Sequence, residues 1–162
     1  MRVILPLVLL VLVLLLDLVA ALVDPPLPLL GLLDEPAHLA TAGLALLVAR
    51  VRDVRALGVL AGSVLIDADH VPLYLGVPGV EAAGGRPLTH SLLTLVVLGL
   101  LGLRGPPLRW LGAGVALHFL RDLFTGPGLP LLWPLDVAVL LPYGVYATLL
   151  VALAAIAIRS RP

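Results

Sequence analysis

From Val3 to Val23 the chain carries one ionisable residue, Asp17, and apolar runs of similar character recur to the C-terminus. A run of that length can cross the roughly 30 Å hydrocarbon core of a bilayer. Charged residues make up only 12% of the chain, about half the roughly 25% of a soluble domain. The sequence therefore predicts an all-α integral membrane protein with about six transmembrane helices in one polytopic domain and no separate soluble domain. The formal net charge is zero, which argues against nucleic acid as an electrostatic partner and leaves the lipid bilayer as the partner expected.

The predicted helices cover 3–23, 36–51, 54–67, 88–103, 108–124 and 143–158. Gly126-Pro127-Gly128 breaks the chain after the fifth. The segment 125–142, with Pro130, Trp133, Pro134 and Asp136, is expected to form an interfacial or re-entrant loop. The first run ends at Asp24-Pro25-Pro26. Arg2 as a short basic start and Val19-Ala20-Ala21 as a cleavage-like triplet also suit a signal peptide, but the run is long for one and a retained helix is favoured. Asp17 then pairs with a neighbouring helix or lies near the outer boundary. For the second helix, Asp34 suits an N-cap and Pro36 the first turn.

Arginine distribution sets the orientation. Arg2, Arg50, Arg52, Arg55, Arg104, Arg109, Arg159 and Arg161 fall at one set of helix ends, and only Arg86 and Arg121 at the other. The positive-inside bias then gives a multi-pass protein with both termini in the cytoplasm. Trp110 and Trp133 suit interface anchors at opposite faces, and Gly112 and Gly114 suit close helix packing.

All four histidines lie in short polar islands: Asp34-Glu35-Pro36-Ala37-His38, Asp67-Ala68-Asp69-His70, Arg86-Pro87-Leu88-Thr89-His90-Ser91 and His118-Phe119-Leu120-Arg121-Asp122. Ionisable groups inside apolar segments are costly and mark sites. The predicted topology puts every island at the outer ends of helices two to five. Counting 12 to 14 residues from the arginine layer gives roughly 18–21 Å at the helical rise, below the outer surface and within reach of lipid headgroups.

Spacing supports a metal centre. Asp34/His38 and His118/Asp122 are i,i+4 pairs on one helix face, and Asp67/His70 is i,i+3. The chain has no cysteine, so imidazole and carboxylate are the ligands available, a set that suits zinc first and manganese or iron as alternatives. His38, Asp67, His70, His90, His118 and Asp122 are the expected ligands, for one or two ions. Asp34 or Asp69 would orient a ligand or act as general base, and Arg86 would contact an anionic phosphate. Such a centre activates water for phosphoester hydrolysis, and its depth points to a phospholipid or another phosphorylated substrate at the interface. A single interfacial histidine is usually structural, and an acid such as Asp34 or Glu35 near a helix start is usually a cap. Four histidines at one depth, each with an acid or hydroxyl beside it, favour the metal. Thr89 and Ser91 are helix-start hydroxyls rather than nucleophiles, and Arg121 neutralises Asp122 or a neighbouring acid.

With these islands the chain resembles the YdjM-like family of bacterial and archaeal inner-membrane metal-dependent hydrolases, one member of which is described as LexA-binding. The resemblance covers nearly everything after the first helix. It is most specific in Arg86-Pro87-Leu88-Thr89-His90-Ser91-Leu92, in His118-Phe119-Leu120-Arg121-Asp122 and in the loop through Trp133-Pro134. Ala37 stands where the family usually has Thr, and Pro87 where it often has Gly; neither change removes a ligand. The resemblance implies an inner-membrane location and, through a distant relation to zinc-dependent phospholipase C and nuclease folds, phosphodiester chemistry. Three alternatives compete. A divalent-metal transporter or binding protein would need a polar route through inner helix halves that are nearly all apolar. A regulatory or scaffold protein would not need the histidines. A metal-independent lipid phosphatase using His118 and Asp122 would need an Arg six residues before that histidine, where Gly112 stands.

Overall fold

The computed structural model describes residues 3–23, 25–135 and 137–159; Arg2 and Arg161 of the arginine layer, Asp24 and the loop residue Asp136 lie outside them. Among the described residues the chain is all-helical. The elements are α1 (Ile4–Val23), α2 (Leu27–Ala49), α3 (Val54–Leu65), a 3₁₀ turn (Ile66–Asp69), α4 (His70–Tyr74), a short second 3₁₀ turn (Ala83–Gly85), α5 (Leu92–Gly102), α6 (Pro106–Asp122) and α7 (Tyr143–Arg159). Ile4–Val23, Leu29–Ala49 and Val54–Leu73 are each long and apolar enough to cross a membrane, and α5 and α7 are shorter apolar helices.

Two helix starts differ by four residues or more from those the sequence suggests, and the other boundaries by two at most. α2 starts at Leu27, with Pro26 as an extended N-cap and a proline in the first two helical positions. Asp34 is therefore no N-cap, and Pro36 and His38 lie inside the helix rather than in its first turn. Pro36 lacks an N–H and forgoes one helical hydrogen bond, a loss that packing against neighbouring helices offsets in membrane segments. α5 begins at Leu92 instead of 88, because Ser91 is extended (φ −131°, ψ 163°) and the Leu92 N–H donates to the Leu131 carbonyl at 3.0 Å. His90 thus sits in the turn before the helix. At 11 residues α5 is only about 16 Å long, well short of a bilayer core.

α3 and α6 cross at backbone contact. A Cβ placed on Gly62 would fall 2.1 Å from the Leu111 carbonyl oxygen, and one on Gly114 would fall 2.1 Å from the Val59 oxygen. Small residues let the two backbones touch, the usual device for association in lipid, where no hydrophobic force draws helices together. Gly112 contributes more loosely, facing Leu98 of α5. A second core joins α1, α2 and α7 through Val13, Ala37, Ala40, Leu44, Tyr146, Leu150 and Ala154. Beyond α6 the loop folds back on itself through a bridge between Leu129 and Val139 and covers the polar end of the helices.

On α3, α5 and α6 the arginines and the polar islands lie at opposite ends, whereas on α2 the island 34–38 lies toward mid-helix and not at the end the sequence suggests. Arg50 caps the C-terminus of α2, Arg55 opens α3, Arg104 follows α5 and Arg109 lies in the first turn of α6. Asp53, the α3 N-cap, accepts from the Arg55 backbone N–H at 3.0 Å and side chain at 2.9 Å, and Arg55 also lies over the Trp110 ring.

Candidate metal centre

Four separate segments deliver the site. His38 lies on α2 one turn after Asp34, the 3₁₀ turn carries Asp67 and Asp69 into His70, the turn before α5 carries His90, and the last turns of α6 carry His118 and Asp122. The tighter 3₁₀ winding eclipses positions three apart, and accordingly Asp67 Oδ1 lies 3.2 Å from His70 Nδ1. All the proposed ligands converge on one cluster. His38, His90, His118 and Asp122 are buried, while Asp34, Asp67, Asp69 and His70 line its partly open side.

The α3–α6 crossing has a direct consequence for His118. With the backbones in contact at Gly62 and Gly114, the carbonyl of Ser63 comes within 2.9 Å of His118 Nδ1. That carbonyl can only accept, so Nδ1 carries the proton and Nε2 of the neutral ring is a bare lone pair. His90 is held in the same way: its Nδ1 lies 3.1 Å from Asp69 Oδ2, which also accepts from the Thr89 hydroxyl. An imidazole whose far nitrogen is tied to a carboxylate or carbonyl is the usual outer arrangement of a metal ligand.

The two bare nitrogens point at other acceptors. His90 Nε2 and His118 Nε2 are 3.3 Å apart. Asp67 Oδ1 lies 3.0 Å from the first and 3.3 Å from the second, and Asp122 Oδ2 lies 3.7 and 3.2 Å from them. Lone pairs cannot bond to lone pairs, so only a cation among them, proton or metal, makes this convergence favourable. Donor atoms that share one tetrahedral ion at about 2.0–2.2 Å sit about 3.4 Å apart, close to the separations found. Of the fully buried Asp122, Oδ2 takes Arg86 Nη1 at 2.9 Å, whereas Oδ1 lies 3.4 Å from His38 Nε2 and makes no hydrogen bond. A buried polar atom of that kind is normally satisfied, and a divalent ion would satisfy it. The residues present thus fit a metal ion, in groups of Asp67, Asp69, His70 and His90, of His38, His118 and Asp122, and of Asp34, His38 and Asp67.

The remaining charged residues surround this cluster. Arg86, buried, sets its Nη1 2.9 Å from Asp122 Oδ2 and donates from Nε to the Gly128 carbonyl at 3.3 Å. Gly128 has φ +85°, and a Cβ there would fall 2.6 Å from the Val139 oxygen, so the bridge that shapes this carbonyl requires glycine. Asp34 pairs with Arg121 and lies 3.5 Å from His38 Nε2. Arg121 does not reach Asp122 by an ion pair; it pairs with Asp34 and with Asp17 of α1. Asp17 in turn accepts from the Tyr143 hydroxyl at 2.8 Å. Glu35 faces Asp67, with one buried oxygen lacking a hydrogen bond. Asp17 thus pairs with a neighbouring helix, one of the two outcomes expected for the one charge in the first apolar run; Glu35, near what reads as a helix start, lies inside α2, and Tyr143 is the site neighbour that sequence reasoning leaves unassigned.

The sequence pattern of the family described as YdjM inner membrane protein matches residues 34–162 of the chain. That span includes all four polar islands and excludes α1. No curated protein and no solved structure matches.

Proposed function

We propose that this chain, which belongs to the YdjM inner membrane protein family, is a membrane-embedded metal-dependent hydrolase of phosphoester bonds with a lipid as substrate. The observation that carries the proposal is the contact between His90 Nε2 and His118 Nε2, two nitrogens held as acceptors and surrounded by acceptor oxygens. His38, Asp67, His70, His90, His118 and Asp122 would hold the ion, with zinc first among the candidates and manganese or iron as alternatives. Bound there, a divalent ion supplies Lewis acidity toward a phosphoryl oxygen and activation of water.

The chain's own residues divide the rest of the work. Asp69 orients His90 and Ser63 orients His118. Arg86 fixes Asp122, and its guanidinium is the cation nearest the cluster for a phosphate group. Asp34, on the partly open side, is the candidate proton acceptor, although Arg121 already engages one of its oxygens. A lipid substrate follows from the setting. The site sits at one end of apolar helices, with exposed Leu32, Leu65 and Val71 next to its carboxylates in the chain.

Hydrolysis accounts for the site better than transport. Among the described residues the buried polar side chains are His38, Thr41, Ser63, Arg86, His90, Ser91, His118, Arg121 and Asp122. They gather around the cluster, the furthest toward the arginine end being Thr41, which lies past the middle of α2 and pairs with the Tyr146 hydroxyl; beyond it, among the described residues, no buried polar side chain continues toward that end. The positive-inside bias then turns the site toward the outer face, with both termini inside.

The test is hydrolysis by purified protein in lipid nanodiscs, assayed against bis-(p-nitrophenyl) phosphate and a phospholipid panel. The proposal expects turnover of at least one phosphoester, loss of turnover on chelation, recovery on adding zinc or manganese, and none in His118→Ala. Metal-loaded protein that turns over nothing in the panel, or turnover that a chelator leaves unchanged, contradicts it.

A further inference from the structure

We infer that the centre is built for two divalent ions, one in the four-donor group of Asp67, Asp69, His70 and His90, the other in the three-donor group of His38, His118 and Asp122. The inference rests on the metal reading proposed above. The two groups share no residue, and each gathers enough donors to hold an ion alone.

Within the first group, His70 Nδ1 lies 3.2 Å from Asp67 Oδ1 and 3.1 Å from Asp69 Oδ1, and His90 Nε2 lies 3.0 Å from Asp67 Oδ1. Asp69 divides its oxygens between two tasks. Oδ2 takes the Thr89 hydroxyl and His90 Nδ1, whereas the buried Oδ1 faces His70 Nδ1. Within the second group Asp122 divides likewise, with Oδ1 3.4 Å from His38 Nε2 and Oδ2 3.2 Å from His118 Nε2. The His38 and His118 rings stack at 3.6 Å, which aligns their nitrogens on the same carboxylate. Between the groups, Asp67 Oδ1 and His118 Nε2 are 3.3 Å apart, so the two ion positions are neighbours.

The split between the groups is unequal. Four donors complete a tetrahedral shell, whereas three leave a position open, the pattern that separates structural from catalytic zinc sites. The His38, His118 and Asp122 group therefore has the free position.

The experiment is metal content per chain by plasma mass spectrometry after metal-replete purification and gel filtration, for wild type, His70→Ala and His38→Ala. The inference expects two ions in wild type and one in each variant, with folded variants identified by circular dichroism. Electron paramagnetic resonance of the manganese-loaded wild type gives an independent readout, an exchange-coupled multiline signal in place of isolated six-line spectra. One ion in wild type with uncoupled manganese overturns the two-ion inference and leaves the single-metal reading intact. No ion in wild type overturns both, and means that protons neutralise the cluster instead.

Discussion

Asp17 on α1 and Arg121 on α6 form a buried ion pair that ties the candidate metal centre to a helix outside the residues matched by the family. Arg121 is held on its other side by Asp34, and Asp17 is held by the Tyr143 hydroxyl of α7. Four helices thus meet through one guanidinium. Breaking a buried pair by removing one partner typically costs about 3–5 kcal/mol, and less where a second partner remains. Asp17→Ala is expected to lower the thermal midpoint in detergent by several degrees, and Arg121→Met, which leaves two acids without their shared cation, by more. An unchanged midpoint in both variants contradicts this role.

The Gly62–Gly114 contact predicts a second outcome. Replacing either glycine with leucine inserts a side chain where even a Cβ meets backbone at 2.1 Å, so α3 and α6 must separate and the Ser63 carbonyl withdraws from His118. Gly62→Leu and Gly114→Leu should both lose metal affinity and melt earlier. Gly99→Leu on α5, where a Cβ meets nothing within 4 Å, should do neither. Equal behaviour of all three variants in a metal-binding titration contradicts the crossing as the cause.

The outer partners of His90 predict graded effects on metal affinity. Loss of an orienting carboxylate typically weakens binding ten- to a hundredfold. Asp69→Ala is expected to reach or exceed that range, because Asp69 both orients His90 and offers its own oxygen. Thr89→Val, which removes only a hydroxyl donor to Asp69, should cost less than tenfold. A competition titration with a chromophoric chelator ranks them, and the reverse order sinks the assignment.

Arg86 separates charge from geometry. Its Nη1 meets Asp122 while Nε meets the Gly128 carbonyl, an arrangement that needs a planar fork. Arg86→Lys keeps the charge and loses the second contact. The protein should fold and bind metal with modestly reduced affinity but turn over phosphoesters at least tenfold more slowly. Wild-type turnover in this variant contradicts a positioning role for the guanidinium.

The clustering of these polar residues was legible in the sequence for a simple reason: charges in apolar helices are too costly to keep without a partner, so their positions were informative even before their contacts were known. The i,i+4 pair on α6 and the i,i+3 pair at the end of α3 required only helical geometry. What the sequence hid was long-range pairing. Nothing local shows that Arg86 takes Asp122 while the adjacent Arg121 reaches past it to Asp34 and Asp17. Element edges also escaped, since Asp34 and Pro36 read as a helix start by local rules, while packing carries α2 through the proline from Leu27.

The central claim is that imidazoles of this cluster bind a metal. X-ray absorption of the purified, metal-replete protein at the edge of its bound metal measures it most directly. The account predicts a nitrogen/oxygen shell at about 2.0–2.2 Å with outer-shell scattering from imidazole rings, reduced in His90→Ala and His118→Ala. Protein that carries no metal, or a metal without imidazole scattering, contradicts it.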